Sequence, residues 1–326
     1  MNNILRNISA YFICIMAALL WGCDTSLIGE GESAPYNLHI KVRYAESERI
    51  NNGTDEILLR HIVRIYPAQS NPYSTDCIKE MVFTGNRATA CDSLITADIV
   101  PGNYKMLVWA DIIQSGKALY DASNFAEISL ADEPRGNNDC HRTFRGEANI
   151  SLNDTLLYDS VAPINIVMKP TQAKYEIIAN DLSDFIEKEK KRMQASETND
   201  KEFDISNYTA VCYYVGFVPD TYSMFTDKPV DSATGVMCKS PLKPLNDNEA
   251  AIGFDYVFVS DKESAVTVRI GIYDANDKLV SLTSAIKVPL NRDRKTILHG
   301  KYLTSKSSEG INIDPNYDGN FNWFVP

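Results

Sequence analysis

The segment YNLHIKVRY, residues 36–44, decides the fold of this chain because its apolar and polar residues alternate without a break. Its apolar members, from Tyr36 to Val42, lie on one side of an extended strand, and the polar residues between them lie on the other. The segment VTVRIGIY, residues 266–273, repeats the pattern in the second half of the chain. Strands with one face in a core and one in water are typical of antiparallel sheets, so the sequence predicts a mainly β protein.

Other segments extend this pattern, and one stretch departs from it. Residues 57–66 and 164–168 alternate again, while residues 104–110 are apolar on both sides, which favours a central strand. Asp274–Asp277 predicts the turn of a hairpin. In residues 181–193, DLSDFIEKEKKRM, apolar side chains recur near helical spacing, which predicts a short surface helix packed on the second half.

The length of the chain indicates two domains. It has 326 residues, and a domain typically takes about 150. We predict the boundary at Lys169-Pro170-Thr171-Gln172, because an alternating strand ends there and the proline restricts the backbone on both sides. The expected architecture is therefore two tandem β-sandwich domains, residues 35–169 and 172–326.

The N-terminal residues predict export. Arg6 precedes an apolar run, Ile8–Trp21, which is shorter than the about 20 residues of a membrane span and fits a secretory signal. The run ends in Leu20-Trp21-Gly22-Cys23, which is similar to a lipobox, in which the signal peptidase recognises Leu20 and the small Gly22. We interpret residues 1–22 as a lipoprotein signal peptide and Cys23 as a lipidated residue that carries acyl chains such as palmitate. The alternative is an ordinary secretory signal with a chance cysteine.

Composition excludes several classes of function. Residues 23–34 are small, polar and acidic, which predicts a flexible tether after the lipid. The net charge of −11 argues against nucleic acid as a partner, because phosphate binding needs clustered lysine and arginine. The sequence contains no nucleophile-elbow motif and no phosphate-binding glycine-rich loop, so we expect neither an enzyme nor a cofactor. His61 lies on an apolar strand face and is interpreted as a core or edge histidine.

Five cysteines remain in the mature chain after lipidation: Cys77, Cys91, Cys140, Cys212 and Cys238. Export permits disulfides, and the sequence leaves two pairs open, one between the first two cysteines and one between the last two. The alternative is that most of the five are small buried hydrophobic residues.

Two further groups of residues are candidate binding sites. Asp314, Asn316 and Asp318 match the first ligand positions of a calcium loop, but Val325 stands where a bidentate glutamate is needed, so we predict a polar loop without a metal. Tyr213 and Tyr222 belong to an aromatic cluster that would stack on sugars if exposed. The valines that alternate with this cluster favour a core position instead.

Four phrases then occur in order along the mature chain. They are PGNYKMLVWAD (101–111), MKPTQAKYEI (168–177), YYVGFVPDTYSMFTDKP (213–229) and NRDRKTILHGKYLT (291–304). Together with the lipobox, they resemble the fimbrillin-like, Mfa-like lipoproteins of Bacteroidetes. The resemblance covers most of the mature chain, as spaced phrases.

This resemblance implies two transthyretin-like β-sandwich domains and a lipid anchor in the outer membrane, at the cell surface or in a fimbrium. It implies a non-catalytic fimbrial anchor or accessory subunit that contributes to adhesion, with other fimbrial subunits as partners. In such assemblies one subunit donates an extended segment to the open sheet edge of another. The aromatic cluster leaves an alternative, a surface lipoprotein that binds host or bacterial glycans.

Overall fold

The computed structural model describes residues 34–44, 57–68, 76–85, 92–131, 134–153, 163–195, 203–261, 263–292, 294–305 and 321–325. Within these ranges the chain forms several β-sheets and a single α-helix, α1 (Leu182–Ala195). The predicted mainly β class is thus confirmed, and the helix predicted at residues 181–193 is present.

The first half of the chain contains strands β1 to β10. Their bounds are β1 (Ala34–Tyr44), β2 (Ile57–Pro67), β3 (Lys79–Gly85), β4 (Asp92–Ile99), β5 (Gly102–Gln114), β6 (Lys117–Ala118), β7 (Tyr120–Asp121), β8 (Ile128–Leu130), β9 (Phe144–Leu152) and β10 (Ile164–Pro170). Most of them form one eight-stranded sheet in the order β3–β2–β5–β9–β10–β1–β4, with β6 added to β5.

Strand β10 connects two parts of this sheet. Its residues 164–168 pair in parallel with β1, whereas Lys169 and Pro170 pair with β9. The alternating residues of β1, such as Leu38 and Ile40, lie in the same core as Val108 of the apolar strand β5. The alternation that predicted β1 therefore does place one face of the strand in a core, which burial of apolar surface stabilises.

The second half contains strands β11 to β22. Their bounds are β11 (Gln172–Ala179), β12 (Thr209–Tyr214), β13 (Val218–Ser223), β14 (Lys228–Ala233), β15 (Met237–Pro241), β16 (Lys243–Pro244), β17 (Ala250–Phe258), β18 (Ser264–Tyr273), β19 (Leu279–Leu282), β20 (Ile286–Leu290), β21 (Lys295–Gly300) and β22 (Phe321–Val325). One sheet has the order β16–β17–β11–β21–β22, and another has the order β15–β12–β18–β19, with β20 on β18. Both contribute to a second core.

Helix α1 packs on this second core as the sequence predicted. Leu182 and Phe185 are buried in it, and the buried Glu189 accepts hydrogen bonds from Tyr208 Oη (2.9 Å) and from Arg192 Nε (2.8 Å). An unpaired buried carboxylate would oppose folding strongly, so these two donors explain why a glutamate is tolerated there.

A four-stranded sheet joins the two halves. Its order is β14–β13–β8–β7, and Thr221 and Tyr222 of β13 pair with Ser129 and Ile128 of β8. Tyr222 therefore belongs to the first core although it comes from the second half of the sequence. The predicted domain boundary is also buried, since Thr171 is fully enclosed between β10 and β11.

Candidate functional site

Several predicted site residues lie outside the described residues. These are the lipobox residues Leu20, Gly22 and Cys23, the calcium-loop candidates Asp314, Asn316 and Asp318, and the cysteine Cys91. Among the residues that are described, no group of three or more histidine, cysteine, aspartate or glutamate side chains is arranged to hold a metal ion.

Tyr222 lies in a core, the position that the alternating valines favoured, and so it is not available to stack on a sugar. Its side chain is 0% exposed, and its ring stacks on Phe258 with 5.3 Å between centroids. Its hydroxyl donates a hydrogen bond to Asp227 Oδ1. The physical reason is the pairing of β13 with β8, which carries this tyrosine into the first core.

Tyr213 is placed differently. It is half-buried, and it lies opposite Met237 of β15 and Arg269 of β18 on the outer face of the sheet. Its hydroxyl is 2.6 Å from that of Tyr273. Gly271 lies beneath the two rings, and a Cβ built on it would be 3.0 Å from Tyr273 Cε2 and 3.3 Å from Tyr213 Cε2.

We call Tyr213, Gly271, Tyr273, Met237 and Arg269 the tyrosine platform. Burial, and then the hydrogen bond to Tyr273, raise the pKa of Tyr213 to about 12, so its hydroxyl is uncharged near neutral pH. The platform combines apolar ring faces, polar hydroxyls and the exposed Arg269. Such a surface is suited to a ligand that has an apolar face and a hydroxylated rim.

Sequence reasoning did not predict that Gly271 and Tyr273 contact Tyr213. The alternation in residues 266–273 placed both of them on the outer face of their strand, and this was the only indication in the sequence. The contact with Tyr213 follows from the register of β12 on β18, in which Val211 lies opposite Gly271 and Thr209 opposite Tyr273. That register joins segments about 60 residues apart and is absent from the local pattern.

Strand β3 forms one edge of the eight-stranded sheet. It pairs with β2 on one side and has no strand on its other side within the described ranges. Val82, at the centre of β3, is 53% exposed, and Ile78, the residue before the strand begins, is also exposed. An open edge with exposed apolar side chains offers backbone hydrogen-bonding groups to another strand.

Strand β1, in contrast, is interior to the sheet. It pairs with β10 on one side and β4 on the other. Its alternating residues Tyr36, Leu38, Ile40 and Val42 are all buried. Removing β1 from the sheet would expose these four side chains and break both ladders.

His61 is a core histidine, as the sequence predicted. It is fully buried on β2, and its Nε2 lies 2.5 Å from the hydroxyl of Tyr44. Burial lowers the pKa of His61 from its ordinary 6.5 to about 4, so the ring is neutral at physiological pH. It faces core side chains, and this position gives it no access to a substrate.

In the structure the described cysteines are in the reduced form: Cys77, Cys140, Cys212 and Cys238. Cys212 and Cys238 lie directly opposite each other on β12 and β15. The suggested pair of Cys77 with Cys91 stays a prediction. In the described part of the chain, no helix is long and apolar enough to cross a membrane.

Comparison with known proteins gives one family and several distant structural similarities. A family model described as a family of unknown function, DUF6562, matches residues 32–324. No curated protein matches the sequence. Among solved structures, the chain is similar to a "putative adhesin" from Bacteroides ovatus ATCC 8483, with 10% identity, a TM-score of 0.45 and coverage of 94% of this chain and 98% of that one.

Two fimbrial proteins are similar at the same level. The fimbrial anchor protein Mfa2 from Porphyromonas gingivalis has 11% identity and a TM-score of 0.43, covering 76% of this chain and 82% of its own. A fimbrial assembly protein from Parabacteroides distasonis ATCC 8503 has 10% identity and a TM-score of 0.41, covering 85% and 93%. The predicted similarity to Bacteroidetes proteins of this kind is confirmed, and at these values it carries no conclusion about function.

Proposed function

We propose that this chain, which belongs to the DUF6562 family of unknown function, is a non-catalytic cell-surface lipoprotein. It acts as an anchor or accessory subunit of fimbriae, assembles by β-strand addition and contributes to adhesion. It consists of two tandem transthyretin-like sandwiches, residues 35–169 and 172–326, and the β13–β14 hairpin of the second reaches into the core of the first. Residues 1–22 direct export, and Cys23 carries the lipid that holds the chain in the outer membrane.

The open edge of β3 is the observation that carries the assembly part of this proposal. Strand addition needs an unpaired ladder edge, and affinity comes from the backbone groups of that edge. Since β1 is paired on both sides and buries its apolar residues, donating it would be unfavourable. The chain therefore accepts a strand at β3 and keeps β1 in its own fold, which suits a subunit that stays attached to the membrane.

A charge on β3 tests this step. We expect Val82→Lys to abolish SDS-resistant, high-molecular-mass species in unboiled outer-membrane extracts, because charged side chains on an edge oppose further pairing. The matched control is Val167→Lys, since Val167 is 60% exposed on β10, between β9 and β1. Both variants should fold, as both side chains face solvent. Strand addition at β3 is rejected if the SDS-resistant, high-molecular-mass species are present in Val82→Lys. It is also rejected if they are absent from the wild type.

The lipid anchor needs its own experiment. Cells labelled with palmitate should incorporate label into the wild-type chain and not into Cys23→Ala, and the variant should leave the outer-membrane fraction. Label retained by Cys23→Ala would reject this site.

A second candidate function is glycan binding at the tyrosine platform. Its support is the pair of half-buried rings held side by side over Gly271, next to the exposed Arg269. We expect Tyr213→Ala and Tyr273→Ala each to remove binding on a glycan array. Phe217→Ala is the control, because Phe217 is 74% exposed in the same segment but lies outside the platform. Unchanged binding in both tyrosine variants rejects this candidate.

A further inference from the structure

Cys212 and Cys238 face each other across two neighbouring strands. They are directly paired in the antiparallel ladder of β12 and β15, and the backbone N–H of Tyr214 bonds the carbonyl of Val236 at 2.9 Å just beyond them. Directly opposed residues in such a ladder lie roughly 4.5–5.5 Å apart between Cα atoms. That spacing falls within the range of about 4.4–6.8 Å that a disulfide spans.

The two thiols are enclosed together. Both side chains are buried in the second core, and the Cys238 thiol is hydrogen-bonded to Cys212. Gly136, in the loop before β9, packs against Cys238, since a Cβ built on it would lie 2.7 Å from Cys238 Cβ and 3.1 Å from its Sγ. A side chain at position 136 would therefore collide with Cys238.

We propose that Cys212 and Cys238 are joined by a disulfide in the exported protein. This inference rests on the export step of the proposed function, because a reducing compartment would keep both cysteines as thiols. It does not depend on lipidation, strand addition or glycan binding.

The bond forms by exchange with a disulfide-bearing thiol oxidoreductase. The thiolate of one cysteine attacks a sulfur of the oxidant's disulfide, and a mixed disulfide forms as the oxidant's first thiolate leaves. The second cysteine then attacks the mixed disulfide and releases the oxidant as a dithiol. Two electrons and the two protons of the cysteine thiols pass to the oxidant, so atoms and charge balance.

Burial determines when this exchange takes place. The hydrogen bond of the protonated Cys238 thiol with Cys212, and then burial, raise the pKa of Cys238 well above its usual value in the folded chain. The reactive thiolate of Cys238 is therefore scarce after folding, and both cysteine side chains are buried away from an oxidant. The disulfide forms while the chain folds and is protected afterwards.

The position of the bond gives it a structural role at the base of the hairpin that contacts the first half. The segment between Cys212 and Cys238 contains the whole β13–β14 hairpin, which pairs with β8 and inserts Tyr222 and Met224 into the first core. A disulfide at the base of this segment closes the loop that contains the hairpin, which lowers the conformational entropy of the unfolded chain and so disfavours it.

The experiment uses the full chain purified from the cell envelope. After alkylation in denaturant without reductant, peptide mass spectrometry should find the Cys212 and Cys238 peptides linked and unalkylated. Reduction should lower the Tm by roughly 5–10 °C, and the Cys212→Ala/Cys238→Ala variant should have a low Tm that reductant does not change. Cys140→Ala should keep the full shift on reduction.

The outcomes separate this inference from the proposed function. Envelope-located protein with both cysteines alkylated overturns the disulfide and leaves the proposed function intact. Protein found only in the cytoplasm overturns both. If the double variant fails to fold, refolding of the reduced wild-type chain in oxidised glutathione decides, because Cys212 must then link to Cys238, and any other pairing rejects the proposal.

Discussion

Arg292 binds both the carboxylate and the backbone of Asp227. Its Nη1 donates to Asp227 Oδ1 at 2.8 Å and its Nη2 to the Asp227 carbonyl at 3.0 Å, while Nη2 also donates to the carbonyl of Val259 at 2.7 Å. Asp227 lies in the β13–β14 turn with φ of 54°. From the first half, Arg145 Nε donates to the neighbouring carbonyl of Met224 at 2.9 Å. Arginines from both halves therefore fix the tip of the hairpin that joins them.

Replacing the guanidinium should weaken this junction. We expect Arg292→Met to lower the free energy of unfolding by about 2–3 kcal/mol, because three acceptors lose their donor and Asp227 is only partly reached by water. Urea denaturation measures the change. Lys287→Met is the control, since an exposed side chain changes stability by about 0.5 kcal/mol or less. Equal stability of the two variants would contradict the role of Arg292.

Two adjacent tyrosines provide a matched comparison. Tyr214 Oη donates to Asp255 Oδ2 at 2.6 Å, and the same carboxylate accepts from Arg135 Nε at 3.1 Å in a site that is almost fully buried. Tyr214→Phe should lower the free energy of unfolding by about 1.5–3 kcal/mol, because a buried charged acceptor loses a donor.

Tyr213→Phe is the partner variant. It removes a hydroxyl that bonds Tyr273 at a half-buried surface, so the expected loss is under about 1 kcal/mol. Both values come from chemical denaturation under one condition. A larger loss of stability in Tyr213→Phe than in Tyr214→Phe would contradict the expectation that the hydrogen bond from Tyr214 to Asp255 stabilises the fold more than the one between Tyr213 and Tyr273.

Sequence reasoning recovered those features that depend on neighbouring residues. The alternation of residues 36–44 and 266–273 correctly predicted β1 and β18, and the helical spacing of Leu182 and Phe185 correctly predicted α1. Each pattern records which face meets a core, and that information is local. It does not record which core, so it did not place Tyr222 in the core of the first half.

The features that the sequence did not predict depend on pairing between strands that are far apart in the chain. The sheet that joins β13 to β8 brings Thr221 next to Ser129, and the tyrosine platform needs the register of β12 on β18. Register is specified by the packing of whole strands, so a single segment does not encode it. The pairing of Cys212 with Cys238 was left open for the same reason, although both cysteines were recognised.

Gly271 should be required for the platform. We expect Gly271→Ala to lower the free energy of unfolding by about 1–2 kcal/mol, since the added methyl group lies against both tyrosine rings and against Leu279 Cδ1 at 3.3 Å. It should also perturb the near-ultraviolet circular dichroism of tyrosine. Gly102→Ala is the control, because its nearest neighbour is the side chain of Tyr104 and its backbone needs no left-handed conformation. A stable Gly271→Ala variant with unchanged dichroism would contradict this packing.

His61 should make the stability depend on pH in a defined window. Its pKa is about 4 in the folded chain and 6.5 when unfolded, so the unfolded state binds more protons between these values. The contribution is fully present above pH 6.5 and is lost as the pH falls toward 4, with a total of about 3 kcal/mol.

The test compares the wild type with His61→Gln, which retains a polar side chain but does not titrate in this range. We expect the difference in unfolding free energy between the two chains to decrease by about 3 kcal/mol from pH 7 to pH 4. Carboxylates titrate in both chains, so their contributions cancel in the difference. Only the histidine distinguishes the two chains, so a difference that stays constant with pH would mean that the pKa of His61 is the same in the folded and unfolded states, and that burial does not lower it.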